Sequence, residues 1–204
     1  MGVVTISRQF GAGGLTLGKM IAQKNGYTLF DSEILTMVAE KAKVSTDWVK
    51  AMEKEAGGTF QKILSGLVSK SLVDRILSDE HGYIDEVIYV DLLDKIITKI
   101  ADEGNAVIIG RGSQYILKER KGVISVLLVA EKDDRIEFIE NKYNLSHKQA
   151  LQSILTEDKR RSGLYKKFGK EDYDEPGLYD MVINTSKVDL KTACDLVCQL
   201  VAAL

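Results

Sequence analysis

Long apolar runs are missing from this chain, and proline nearly so, with one in 204 residues. No stretch approaches the roughly 20 apolar residues that a bilayer-spanning helix needs, so no membrane partner is expected. Histidine and cysteine are scarce, at two each. Cys194 and Cys198 lie four apart on a stretch of helical period and share one face, which suits core packing. The two histidines are too distant in sequence to complete a metal set with them. Aromatics are 7% of the chain and the net charge is −2, so there is no footprint for nucleic acid. The start, MGVVTISRQF, lacks the basic beginning and apolar stretch of a secretory signal, and a cytoplasmic location is expected. Its valines read as a first strand rather than as a myristoylation context for Gly2.

What is present suffices for one domain: 45% of the residues are hydrophobic, enough to bury a full core. Short β-branched runs alternate with stretches of helical period. Strands are expected at Val3 to Ser7, Thr28 to Phe30, Ala106 to Gly110, Ile124 to Ala130 and Asp180 to Asn184. These runs are mostly continuous rather than alternating, as in parallel strands buried on both faces. Leu15 to Asn25, Asp85 to Asp102, Lys132 to Lys142 and Lys191 to Ala203 serve as crossover helices, giving a doubly wound α/β domain. The second and third strands are separated by far more than a crossover needs. Helical patterns at Ser45 to Ala56 and Phe60 to Leu77 mark a helical insert at about 40–83.

The richest stretch is ISRQFGAGGLTLGKMIAQK, Ile6 to Lys24, a strand running through glycines into a helix. Backbone N–H groups of Gly11, Ala12, Gly13 and Gly14, continued by Leu15 and Thr16 at a helix start, form an anion cradle. The bland alternative is a tight strand-to-helix turn. The place in the chain, after the first strand and before the first helix, favours the cradle.

Four segments together resemble the cytidylate kinase-like family, relatives of the nucleoside monophosphate kinases with a phosphate loop. GAGGLTLGKMIA is similar to the family's phosphate loop and first helix, TLFDSEIL to the end of the second strand, VIIGRGSQYIL to the third strand and its arginine, and YDMVINTS to the last strand and the loop beside the base. The resemblance implies a P-loop three-layer sandwich, with a five-stranded parallel sheet, helices on both faces, an acceptor-site insert and a lid. It implies ATP and magnesium as cofactors. Thr16 and Asp31 would organise the metal, and Arg111 would grip the acceptor phosphate. Three positions depart from the family's usual pattern: Gly14 stands where a lysine is usual, Gly110 where an acid is usual, and Gly112 where an aspartate follows the arginine. Arg8, at the strand end ahead of the glycines, is the first candidate to supply the missing charge, or else it pairs with Asp31. Lys19 is the second candidate, with a solvated helix face as its alternative.

KRRSGLYKKFGK, Lys159 to Lys170, carries six basic and no acidic side chains. The resemblance places the lid here, at about 157–174, with Lys159, Arg160 and Arg161 as phosphate contacts and Gly163 and Gly169 as hinges. A solvated basic helix is the alternative. In the insert, Trp48 and Phe60 could stack on a base, although Trp48 is spaced with Val44 and Met52 as packing, and Asp74, Arg75 and His81 could line a pocket. The expected activity is phosphotransfer from ATP to a small acceptor such as CMP. The alternatives are a nucleotide-binding sensor without turnover and a kinase for a non-nucleotide acceptor. Oligomeric state is not legible.

Overall fold

The structure, a computed structural model, describes residues 2–31, 34, 37, 86–169 and 174–204. The insert expected at about 40–83, with Trp48, Phe60, Asp74, Arg75 and His81, lies outside the described residues, as do residues 170–173 of the basic segment. The chain divides into two units, one of Met1–Leu29 with Gly104–Leu204 and one of Phe30–Glu103.

In the first unit the elements run β1 (Val3–Arg8), α1 (Gly14–Asn25) and β2 (Thr28–Phe30), the last reaching into the second unit. After the second unit come β3 (Ala106–Ile109), α3 (Ser113–Ile116), β4 (Val123–Val129), α4 (Lys132–Tyr143), α5 (His147–Lys167), a 3-10 turn (Pro176–Leu178), β5 (Met181–Asn184) and α6 (Leu190–Ala202). The five strands form one parallel sheet in the order β2-β3-β1-β4-β5, so β1 lies at its centre. Burial follows that order. β3 is buried throughout and β1 as far as Ser7, whereas the edge strand β5 has one buried residue of four. This is why the sequence reads as unbroken apolar runs. Two of the buried hydroxyls that interrupt them, Thr5 and Ser125, are in register across β1 and β4 and hydrogen bond to each other at 3.1 Å.

One core cluster joins β1, β3 and β4 to α1 through Leu17 and Ile21, and to α6 through Ala193, Cys194, Val197 and Cys198. Full burial of a side chain such as Ile6, Leu17 or Ile21 contributes about 1.5–3 kcal/mol. The two cysteines are packing groups, as expected: both are buried, their sulfurs lie 3.9 Å apart, and burial pushes the Cys194 thiol up to about 11. α1 starts at Gly13 and stops at Gly26, both left-handed, with the Gly26 amide closing on the Ala22 carbonyl. α6 is capped by the Asp189 carboxylate, which accepts from the amides of Lys191 and Thr192 at 2.9 Å.

The second unit contains α2 (Glu86–Glu103), whose Leu92, Leu93, Ile96, Ile97 and Ile100 are buried at helical spacing. Phe30, Ile34 and Met37 are buried as well.

Two elements differ from expectation. The short α3 was not foreseen, because four residues carry no period. The segment from His147 through the basic run is one continuous 21-residue helix, α5, that passes through Gly163. The hinge expected at Gly163 is therefore corrected to a helix interior. Gly169, at φ 69°, instead lies just past the helix end, where a left-handed glycine lets the Lys166 carbonyl be capped.

Candidate functional site

At the carboxyl end of β1 the chain turns through Gln9 to Gly13 into α1. Gly11 and Gly13 have φ of 92° and 82°, values that a side chain strongly disfavours. The result is a row of amides at a helix start. Those of Gly11, Gly13, Gly14, Leu15 and Thr16 have no hydrogen-bond partner among the described residues. The Ala12 amide does not belong to this row, because it donates to the Gln9 carbonyl at 3.1 Å and closes the turn. The first turn of α1 carries no acid, so its positive end is uncompensated by a carboxylate of its own. Such an arrangement binds an anion.

The loop is held from three directions that the sequence did not announce. Arg135 on α4 is 8% exposed; its Nε donates to the Phe10 carbonyl at 2.6 Å and it pairs with Asp158 of α5 at 2.5 Å. The Phe10 amide donates to the same Asp158 carboxylate at 3.3 Å. A Cβ at Gly11 would lie 2.9 Å from the Arg135 carbonyl, so only glycine lets the loop approach α4 this closely. On the other flank Thr185, just after β5, donates to the Ala12 carbonyl at 3.2 Å. Between these supports lies a cavity of about 90 Å³, lined by Gly11, Gly13, Asp134, Phe138, Thr185 and Leu190 among others.

Arg8 ends β1. A Cβ at Gly14 would lie 2.7 Å from Arg8 Cγ and 3.1 Å from its Cβ and Cδ, while a Cβ at Gly110 would fall on the Arg8 guanidinium. Its side chain thus runs from the loop toward the end of β3 across two positions without side chains. Lys19 is exposed, in keeping with its solvated alternative. Thr16 accepts a hydrogen bond from Lys142 Nζ of α4 at 3.4 Å. Asp31 directly follows β2 and belongs to the second unit.

Beyond β3 three successive residues, Gly110, Arg111 and Gly112, are left-handed, at φ 67°, 60° and 75°. For Arg111 this conformation costs about 1–2 kcal/mol, and such strain tends to sit at functional positions. No ion pair among the described residues involves it. The adjacent Ser113 is fully buried, with no hydrogen-bond partner for its hydroxyl. Gly112, where the usual pattern has an aspartate, has a structural cause: a Cβ there would lie 2.6 Å from the Phe168 ring.

The basic segment is fastened rather than free. Tyr165 is 1% exposed and meets the Tyr115 ring edge-on at 5.5 Å, and Phe168 lies 6.0 Å from the same ring. Arg161 forms a fork with Asp174, at 2.6 and 2.8 Å, and lies over the Tyr165 ring. Burial works against its charge, but the Asp174 bonds outweigh that and raise its pKa. Arg161, expected as a phosphate contact, is placed by the structure in a carboxylate pair. Lys159 is exposed, and the Arg160 side chain lies outside the described residues. Burial also pushes the phenols of Tyr115 and Tyr179 up, the former to about 12. Among the described residues no helix is long and apolar enough to cross a membrane, and no group of three or more His, Cys, Asp or Glu is placed to hold a metal.

A glycine turn from the central strand of a 2-3-1-4-5 parallel sheet into a helix, with its amides unpaired, defines the fold of the P-loop kinases. Solved structures agree on that fold. The chain is similar to an uncharacterized protein from Eubacterium ventriosum (TM-score 0.67, 22% identity, all of both chains). It is also similar to a shikimate kinase from Bacteroides thetaiotaomicron (TM-score 0.50, 14% identity, 98% of each chain). Within this class the sequence model of the cytidylate kinase-like family matches residues 3–187, and the chain belongs to that family. A cytidylate kinase of Methanocaldococcus jannaschii is 28% identical over 198 residues, 96% of this chain and 94% of that protein.

Proposed function

We propose that this chain transfers the terminal phosphoryl group of ATP to a small acceptor, with a nucleoside monophosphate such as CMP as the first candidate. Arg8 carries the reading. Its stem fills the space left at Gly14 and its guanidinium the space left at Gly110, so one cation spans both positions where the ordinary motif has side chains of its own. Phosphoryl transfer asks the protein chiefly for positioning and charge, and a guanidinium supplies both with a planar fork.

In this reading the amides of Gly11, Gly13, Gly14, Leu15 and Thr16 hold the donor phosphates, and the cavity beside Phe138 and Thr185 takes the donor's base. Ala12 contributes its carbonyl to Thr185 and so braces the cradle. The magnesium role expected of Asp31 falls in the second unit. Thr16 would offer its hydroxyl to magnesium, an ion that keeps most of its waters and takes other ligands from substrate phosphates. Bound there, the metal would neutralise charge on the transferring group. Arg111, left-handed between two left-handed glycines, grips the acceptor phosphate. Lys159 contacts the polyphosphate from α5, and Arg161 joins it on leaving Asp174.

The Arg161–Asp174 fork also favours a second reading, binding without turnover, since it leaves the lid one guanidinium short. A coupled ADP-release assay over a panel of monophosphates with ATP and magnesium separates the two. The kinase reading expects one acceptor to accelerate ADP formation well above the acceptor-free rate. ATP that raises thermal stability while no acceptor accelerates its loss would establish the sensor instead.

A further inference from the structure

We infer that Lys142 is a second donor-site cation, which hydrogen bonds to Thr16 and passes to the donor polyphosphate when nucleotide binds. The inference rests on the reading of the loop as a donor site, and it adds a residue that neither the motif nor the resemblance assigns.

The helix that carries Lys142 is acidic, with Asp133, Asp134, Glu137 and Glu140 all upstream of it. On a helix a lysine finds its carboxylate three or four residues away. For Lys142 those positions hold Ile139 and Phe138, so the spacing withholds a partner, and no ion pair among the described residues supplies one. The ammonium lies instead over the Phe138 ring, 5.2 Å from its centroid, and 5.9 Å from the Tyr143 ring. Its one polar contact among the described residues is the Thr16 hydroxyl at 3.4 Å.

Thr16 is in the first turn of α1, and Phe138 lines the cavity beside Gly11 and Gly13. Lys142 therefore stands where two features of the donor site meet, on a flexible stem, with a long and weak hydrogen bond that a phosphate oxygen can replace by a shorter charge-assisted one. A cation in the last turn of α4 also suits the helix dipole, but that benefit does not require Thr16 and does not depend on nucleotide.

Calorimetric titration of the full chain with the β,γ-imido analogue of ATP, with and without magnesium and at two salt concentrations, tests the inference. Lys142→Ala is expected to weaken binding about tenfold and to flatten its salt dependence, the scale of one charge-assisted contact. Lys142→Arg should recover most of the affinity. Lys148→Ala, an exposed lysine of the first turn of α5, should bind as the parent does. Thermal melting without nucleotide should change little in all three. Parent-like affinity in Lys142→Ala overturns the inference, and so does an equal loss in Lys148→Ala, which would reduce the effect to general surface charge. If the parent chain fails to bind the analogue, the donor-site reading falls and takes the Lys142 assignment with it. If the parent binds and Lys142→Ala binds as the parent does, the donor site stands and Lys142 is a helix-end cation.

Discussion

The loop at Arg8 to Thr16 and the basic run at Lys159 to Gly169 make opposite use of charge. The loop has one charged side chain, yet its amides from Gly11 and from Gly13 to Thr16 have no partners among the described residues. The basic run is dense in cations, yet the Arg161 guanidinium is forked onto Asp174 and its aromatic residues pack against Tyr115. Charge in a sequence is therefore not the same as charge available to a ligand. Backbone geometry decides the first region, and partner carboxylates decide the second.

The comparison can be broken most severely at Arg8. Arg8→Ala is expected to lower turnover by about 10²-fold or more, the scale of losing one transition-state charge donor, with folding retained. Turnover within a few-fold of the parent would show that the charge comes from elsewhere. Next in size is the buttress under the loop. Arg135→Ala removes one half of a mostly buried pair and strands the Phe10 carbonyl, with an expected loss of about 3 kcal/mol in urea unfolding. A loss below about 1 kcal/mol would make the clamp incidental.

Asp174→Asn sharpens the contrast from the other side. Freed from its carboxylate, Arg161 should reach the phosphates, so affinity for the ATP analogue is expected to rise several-fold while stability falls by about 1–2 kcal/mol. Lower stability with unchanged affinity would confine Arg161 to a structural role. The smallest effect concerns pH. The Tyr115 phenol, normally near 10, is raised to about 12 by burial against the basic segment. A folded-state value above the unfolded one means that the stabilisation is complete below about pH 10 and is lost as pH climbs toward 12. Unfolding midpoints should fall across that window, and less so in Tyr115→Phe; an identical pH profile in the variant would refute the assignment.

Much of the fold was legible. All five strands lay in apolar runs because each central strand is buried on both faces, and the chain order implied parallel pairing. The loop was legible because glycine requirements are local, written at Gly11 and Gly13 themselves. What escaped was non-local. The contact of Arg135 with Phe10 spans 125 positions and that of Thr185 with Ala12 spans 173, and neither leaves a pattern at either end. The surroundings of the basic run were illegible for a related reason. Its composition displays the cations, but not the carboxylate that meets one of them from Asp174 or the ring contacts that fasten Tyr165. The Ala12 amide was assigned to the cradle because sequence shows that a residue has an N–H, but not where it points.

The threading of Arg8 between Gly14 and Gly110 bears on how such a loop can evolve. Installing a lysine at Gly14 while Arg8 is present drives a Cβ into the arginine stem, and an acid at Gly110 collides with its guanidinium. Removing Arg8 first leaves the loop with neither cation. Each single step toward the ordinary motif is thus a step down, and only an exchange at all three positions together crosses to it. The glycines and the arginine are expected to be inherited as one unit: a homologue that carries Arg8 should keep both glycines, and one that has lost either glycine should have lost the arginine too.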